Sequence, residues 1–360
     1  MKIAYVIEVN PYQNSGIVKK INDQIEFWTK QGHDVKPYIL WPKLKASEIN
    51  YFRKGKLYYN TILNNLPDNF IKTYLTKILT LPKIQRELES FAPDILYIRQ
   101  NIWYPGLPHI LKKHNTVLEL NSVDYLEMSF YSTIKRKIYL FGKKRILKSV
   151  KGLVAVSPDI LKHYKSYSLK QVVVSNGINL DNFKPLEGEK SNDIQNVELV
   201  FVGSPNMQWH GLDKINQLAN FFPEWKFHIV GYTGEDSNNI TFHGWLNKDE
   251  LVNVYSRCHF GIASFSNFMV GKPIDSTLKV REYLAYGLPV LSGHQDVDFL
   301  ESDLVFKITD ENNNLISKED IYAHVLKNMN RTVEKKDILI IDSKEKENKR
   351  LAFFEQIMNL

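Results

Sequence analysis

The residues with the clearest chemistry are Lys279 and Glu282. They lie in the run Ser276-Thr277-Leu278-Lys279-Val280-Arg281-Glu282-Tyr283-Leu284-Ala285-Tyr286-Gly287-Leu288-Pro289-Val290-Leu291. Three apart on a helix, their side chains project from one face. Ser276 is placed as N-cap, Gly287 as the left-handed closing residue and Pro289 as the stop. A helix N-terminus is an anion site, and a lysine there adds a point charge for phosphate. A carboxylate one turn on can accept two hydrogen bonds from a vicinal diol such as a ribose. Phosphate plus ribose is the chemistry of a nucleotide-sugar. On the residues alone, an amphipathic helix with a solvated ion pair is the other reading.

Positioning such a pair takes an α/β scaffold, and both halves of the chain have the pattern of one. Lys2–Val9 reads as a buried strand and Asn10–Gly16 as a turn-rich loop. A helix follows, with Ile17, Ile21, Ile25 and Trp28 on its apolar face and Gly32 at its end, and then the strand Val35–Leu40. That is a βαβ unit, which implies a parallel sheet. Gly16 alone is no dinucleotide fingerprint. It either admits backbone close to a ligand or makes a tight turn. Further strands are expected at Pro93–Arg99, Thr116–Asn121, Gly152–Val156 and Gln171–Ser175. A helix is expected to start at Ser157-Pro158-Asp159, with proline at its first position. Leu199–Ser204 opens a second parallel domain, continued by Lys226–Val230 and Gly261–Ser264, with helices over 212–222 and around Leu251, Val252, Val254 and Tyr255. The stretch 186–196 is polar and suits a linker. The last helix shows an apolar face of Leu351, Phe353, Phe354 and Ile357.

Ligands in open α/β sheets bind at the carboxyl ends of strands. That rule brings forward Arg99, Gln100 and Asn101 after one strand, and Glu119, Asn121, Ser122 and Asp124 around the next. Glu127 is either a further candidate or an exposed helix acid.

The chain has 360 residues, enough for two cores, and its formal net charge of +7 is unevenly placed. Residues 41–90 read as an irregular insertion in which Lys43, Lys45, Arg53, Lys54, Lys56, Lys72, Lys77, Lys83 and Arg86 alternate with Tyr and Phe. A second basic helix, 131–150, carries Lys135, Arg136, Lys137, Lys143, Lys144, Arg145 and Lys148 and no acid. Such segments suit an anionic membrane surface, or else form solvated helices covering the sheet. No nucleic-acid-binding motif accompanies the charge. The single cysteine, Cys258, excludes an internal disulfide and has no zinc spacing. The N-terminus lacks a signal-peptide layout and no apolar run is long enough to span a bilayer, so a cytoplasmic protein is expected, held peripherally on the inner face of the plasma membrane if the basic helices attach it.

The run 276–291 resembles the "S-P-L-K-x-x-E-Y-x-A-x-G-x-P-V" segment of family-4 retaining glycosyltransferases, which have the GT-B fold. Asn176-Gly177-Ile178-Asn179, with Phe183 and Pro185, is similar to that family's junction between domains. Ile240–Trp245 resembles the segment whose backbone reads the nucleobase. The resemblance implies an α/β, GT-B architecture: two Rossmann-like domains with parallel sheets facing a cleft. Residues 1–185 would be the acceptor side and 186–342 the nucleotide-sugar side, with a final helix at about 343–360 packing back on the first domain.

It also implies residue roles. Lys279 lies near the diphosphate, Glu282 holds the ribose, and Asn121 stands where a sugar-side histidine is usual. Donor contacts fall on Gly16, Gly203, Ser204, His210, Trp245, Val270, Gly271, Asp275, Ser276, Thr277 and Leu278, and acceptor contacts on Arg99, Asn101, Glu119 and Asp124. Two phosphate-clamping positions, an arginine and a lysine in related enzymes, read Ser204 and His210 here. Lys279 becomes the main cation, with Lys272 and Arg281 as helpers. The usual sugar-side glutamate is Ile274, so Asp275 is the substitute, with the amides of Val270 and Gly271 set against sugar hydroxyls. The implied activity moves a sugar from a nucleotide-sugar, a UDP-sugar, to a glycan or lipid-linked acceptor with retention, in surface polysaccharide synthesis and without a metal. A sugar-nucleotide epimerase of the same fold and a non-catalytic partner protein are the alternatives.

Overall fold

The computed structural model describes every residue except 14, 43–47, 64, 100, 101, 124, 125, 127–131, 189 and 238. It divides into two compact units, Met1–Val174 with Ser343–Leu360, and Ser175–Asp342.

The first unit is built on a parallel sheet of strands β1 (Lys2–Ile7), β2 (Asp34–Leu40), β3 (Lys56–Tyr58), β4 (Ile95–Arg99), β5 (Thr116–Leu120), β6 (Gly152–Ala155) and β7 (Lys170–Val173), in the order β3-β2-β1-β4-β5-β6-β7. Ile3, Ala4, Tyr5, Val6 and Ile7 are all buried. Side chains alternate across a strand, so both faces of β1 are covered, as a parallel sheet requires. The helix Gly16–Lys30 starts at Ser15, whose hydroxyl accepts from the Val18 amide, and ends before Gly32 at φ 81°. Its buried stripe is Val18, Ile21, Ile25 and Trp28. Ile17, expected on that stripe, is exposed, because Val18 keeps the three- and four-residue spacing and Ile17 falls beside it.

The segment 41–90 is not an irregular insertion. It contributes β3, which pairs with β2 from Tyr38↔Lys56 to Leu40↔Tyr58, and the 22-residue helix Phe70–Phe91 capped by Asn69. The basic helix runs Thr133–Leu147 and buries Tyr139, Gly142, Ile146 and Leu147. The helix Ser343–Met358 belongs to this unit and buries Leu351, Phe353, Phe354 and Ile357 in the same cluster as Ile3, Tyr5 and Trp28.

The second unit holds a parallel sheet of β8 (Glu198–Val202), β9 (Lys226–Val230), β10 (Ile240–Gly244), β11 (Phe260–Ile262), β13 (Val290–Ser292) and β15 (Val305–Lys307), ordered β10-β9-β8-β11-β13-β15. A two-stranded ribbon pairs β12 (Ile274–Asp275) with β14 (Gln295–Asp296). The stretch 186–196 is not free linker: the Leu186 amide donates to Tyr286, and Ile194–Asn196 forms a 3-10 turn. A further helix, Lys318–Asn328, is capped by Ser317.

Candidate active site

The motif helix is Leu278–Ala285. Gly287 at φ 91° closes it in the left-handed region, where a glycine is needed. Its N-cap is Thr277, which makes no side-chain cap bond, and Thr277 Oγ1 is buried without a partner among the described residues. Ser276, expected as the cap, works elsewhere. Its hydroxyl accepts from the Asn176 amide at 3.0 Å and its carbonyl accepts from Asn176 Nδ2 at 2.6 Å. The Asn-Gly junction is thereby tied to the start of the motif helix.

Arg281 is not a phosphate helper. Its guanidinium donates to Asp296 and Asp298, each at 2.7 Å, and to the Asn176 carbonyl at 2.9 Å, with no side-chain exposure. Lys272 is likewise engaged, 2.8 Å from Asp275. Asp275 is buried and also accepts from Asn267 Nδ2 at 3.2 Å and the Ser276 amide at 2.8 Å. Burial alone would raise its carboxyl, but Lys272 and those donors hold it below the ordinary value. It is a structural anchor and no substitute for a sugar-side glutamate. Val270 is buried, and the Gly271 amide donates to Phe268 O within its own turn, so that amide is not open to a sugar hydroxyl.

Lys279 differs from these cations. The residue as a whole is half-buried, but Nζ is inaccessible and has no hydrogen-bond partner among the described residues. It rests 4.2 Å from the centroid of the Phe201 ring. Burial lowers its ammonium from the usual lysine range to about 7. An orphaned buried ammonium beside an uncapped helix N-terminus lacks only an anion. One turn on, half-buried Glu282 accepts from the buried Tyr255 hydroxyl at 3.4 Å.

Around them stand Gly203, Ser204 and His210. A Cβ at Gly203 would lie 2.7 Å from the Phe201 ring and 2.8 Å from His210 Nδ1, so a larger residue there would have to displace one of these rings. His210 Nδ1 is 2.7 Å from Tyr232 Oη, which is 2.5 Å from the Ser204 carbonyl. Tyr232, not singled out from sequence, follows β9 after Gly231; the rule that ligands gather at strand carboxyl ends would have found it. Trp245 is 72% exposed, beyond β10, and Leu278 is half-buried as the first residue of the motif helix.

In the first unit the expected acceptor residues are largely consumed by one another. Glu119 is fully buried, 2.8 Å from Lys20 Nζ and 3.2 Å from Arg99. Tyr5 Oη also reaches it, at 3.3 Å. Burial opposes its ionisation, but Lys20 and Arg99 hold its carboxyl well below the usual range. Glu119 is therefore a buried counter-ion. Asn121 is half-buried, with Oδ1 3.5 Å from Lys20 Nζ. Gly16 is the exposed first residue of its helix. Gln100, Asn101, Asp124 and Glu127 lie outside the described residues. What sequence reasoning missed is a cavity of about 350 Å³ lined by Glu8, Trp41, Phe70, Tyr74, Lys77 and Ser132 among others. Glu8 and Lys77 form a buried ion pair at 2.5 Å.

The comparisons decide the family. Residues 15–182 match Glycosyltransferase Family 4, and residues 211–329 match a glycosyl transferase-like domain. This chain belongs to the family-4-like GT-B glycosyltransferases. Solved structures agree on the fold. The lipopolysaccharide outer core galactosyltransferase WaaB is 14% identical with TM-score 0.65, over 99% of this chain and 100% of that one. A glycosyltransferase from Rickettsia africae is 16% identical with TM-score 0.63, covering 99% and 98%. Anabaena Alr3699/HepE in complex with UDP and glucose is 12% identical with TM-score 0.60, covering 100% of both chains. A search of curated proteins finds no match. The protein is thus a glycosyltransferase enzyme with two parallel α/β units.

Proposed function

We propose that this glycosyltransferase transfers a sugar from a UDP-sugar, with retention, to a lipid-linked or glycan acceptor in surface polysaccharide assembly. The observation that carries the reading is Lys279: an inaccessible ammonium with no hydrogen-bond partner among the described residues, at the start of an uncapped helix, one turn from Glu282. In this reading Lys279 and the first-turn amides meet the diphosphate, and Glu282 accepts the ribose hydroxyls. The bond from the sugar's anomeric carbon to the leaving phosphate oxygen breaks as the acceptor oxygen attacks the same face, and the acceptor's proton passes to that phosphate oxygen. Lys279 meets the leaving charge, so we infer that no resident metal is needed and that chelator leaves turnover unchanged. The acceptor side falls to the first unit, where the cavity's aromatic rings and the Glu8–Lys77 pair suit a sugar ring. HepE, solved with UDP and glucose, and WaaB, a lipopolysaccharide galactosyltransferase, are consistent neighbours.

Calorimetry with UDP and uridine tests the donor site. Glu282→Ala removes hydrogen bonds to a charged group, each worth about 1.5–3 kcal/mol, and should weaken UDP and uridine alike by about two orders of magnitude. Lys279→Ala should weaken UDP far more than uridine. Equal losses on both ligands from Lys279→Ala would place that lysine away from the phosphates. Mass spectrometry of UDP-sugars with and without acceptor separates the alternatives: an epimerase acts without acceptor, and a non-catalytic partner does not act at all.

Peripheral attachment is part of the proposal. No helix among the described residues is long and apolar enough to cross a membrane. The exposed face of helix Thr133–Leu147 carries Ile134 and Phe141, 63% and 53% exposed, beside Lys137, Lys144 and Arg145. Cations and apolar groups on one face fit an anionic interface, at about 1 kcal/mol per cation. The other basic segment offers less than its count suggests, since Lys72 and Lys77 are buried in ion pairs and Lys56 pairs with Glu87. Co-sedimentation with anionic vesicles should fall with salt, and Lys137→Glu with Lys144→Glu should release the protein while UDP binding persists. Indifference to anionic vesicles at low salt would end the membrane reading.

A further inference from the structure

A short hydrogen-bond chain in the second unit fixes what His210 can do. Tyr232 Oη lies 2.5 Å from the Ser204 carbonyl oxygen, which can only accept, so the one phenolic hydrogen is committed there. The same Oη lies 2.7 Å from His210 Nδ1 and, its hydrogen being used, must accept. Nδ1 therefore carries the ring proton. In the neutral ring Nε2 is then a bare lone pair, and no hydrogen bond reaches it from the described residues. The ring does stay neutral at physiological pH: burial, helped by nearby Lys279, pushes the imidazole down to about 3. Burial pushes Tyr232 up to about 12, which keeps the phenol protonated.

His210 and Lys279 flank one aromatic ring. The imidazole stands 5.3 Å from Phe201 edge-on, and Lys279 Nζ lies 4.2 Å from the same ring centroid. Among the described residues the site thus offers an unpartnered donor in Lys279 and an unpartnered acceptor in His210 Nε2, besides the orphaned Thr277 hydroxyl. The phosphates of a nucleotide-sugar carry no hydrogen and present only lone pairs, which Nε2 repels. A hydroxyl is what Nε2 can take. Tyr232 also borders a cavity of about 480 Å³ shared with Gln208, Ser266 and Phe268, within the usual size of small-molecule sites.

We propose that His210 accepts a hydrogen bond from a hydroxyl of the transferred sugar and does not bind phosphate, with Tyr232 the positioning residue that locks its tautomer. This rests on the donor reading above. Histidine-selective nitrogen-15 NMR of the whole chain reads the tautomer without any ligand. The expected spectrum for His210, assigned by its loss in His210→Gln, shows a protonated Nδ1 and an unprotonated Nε2, unchanged between about pH 5 and pH 8. Tyr232→Phe should mix the tautomers. A protonated Nε2 in the wild type overturns the proposal.

Calorimetry with UDP, UDP-glucose, UDP-galactose and UDP-N-acetylglucosamine reads the role. His210→Ala should leave UDP affinity intact. At least one UDP-hexose should bind wild type more tightly than UDP does, and His210→Ala should cancel that surplus, up to about tenfold for one hydrogen bond. Loss of UDP affinity in His210→Ala, persistence of the surplus, or no surplus with any hexose overturns the hydroxyl role. If wild type fails to bind UDP at all, the donor reading falls and takes the sugar role with it, while the NMR spectrum still decides the tautomer.

Discussion

The two units treat buried cations in opposite ways. In the first, Lys20 and Arg99 are closed on Glu119, Lys77 on Glu8, and Arg350 on Glu347 with Tyr97 at 2.6 Å. In the second, Arg281 is just as closed by Asp296 and Asp298, yet Lys279, two residues earlier on the same helix, has only the Phe201 face among the described residues. Burying a charge is costly unless it is paired and hydrogen-bonded. A paired ion is therefore accounted for by the fold. An unpaired one is a standing cost, relieved by a ligand or by loss of the proton. Net charge and motif position do not distinguish the two; partners do.

The comparison breaks most visibly in stability. Glu119→Ala leaves Lys20 and Arg99 buried together, and removing one partner of a buried pair costs about 3–5 kcal/mol. Arg281→Met strands Asp296 and Asp298 and should cost a similar amount. Lys279→Met strands nothing, so its unfolding free energy should match wild type or rise, while UDP binding is lost. Urea unfolding of the three variants checks this ordering; a Lys279→Met protein as unstable as Arg281→Met would refute the distinction. The Glu119 contribution also has a pH sign. Its folded carboxyl sits below the ordinary value, so the stabilisation is present above the unfolded carboxyl's pKa and is lost on acidification.

The sequence carried the architecture further than the site. Apolar runs such as Ile3–Ile7 and the Ser157-Pro158 helix start are local signals, and both elements form where expected. β3 was invisible because three residues, one of them Lys56, cannot show a period. Lys279, Arg281 and Glu282 could be picked out by spacing, but not sorted. The partners that remove Arg281 from ligand binding, Asp296 and Asp298, come 15 and 17 residues later, after a helix end and a strand. Asp275 failed for the same reason: a carboxylate in a loop looks available until the fold supplies Lys272 and Asn267. Ser276 looked like a cap because the local run favours it, but tertiary contact with Asn176 won. The Tyr232–His210 chain joins two loops after different strands, and no short-range pattern announces it.

The finest test of the comparison is the proton on Lys279. Burial lowers its folded pKa to about 7 from the usual value near 10.5. Between those values the unfolded chain holds the proton and the folded chain does not, so stability rises with pH through that window, by at most about 1.4 kcal/mol per unit. Lys279→Met should flatten the slope. A diphosphate beside Nζ reverses the burial effect and restores the charge. UDP binding at about pH 8 should therefore take up close to one proton, against almost none at about pH 6, where Lys279 is already charged. Calorimetry in buffers of different ionisation enthalpy measures that uptake, and Lys279→Met supplies the baseline for UDP's own titration. The closed cations predict no such signal, because Asp296 and Asp298 already hold Arg281 away from the ligand. Equal uptake in wild type and Lys279→Met would mean that the orphaned ammonium is not where the nucleotide's charge arrives.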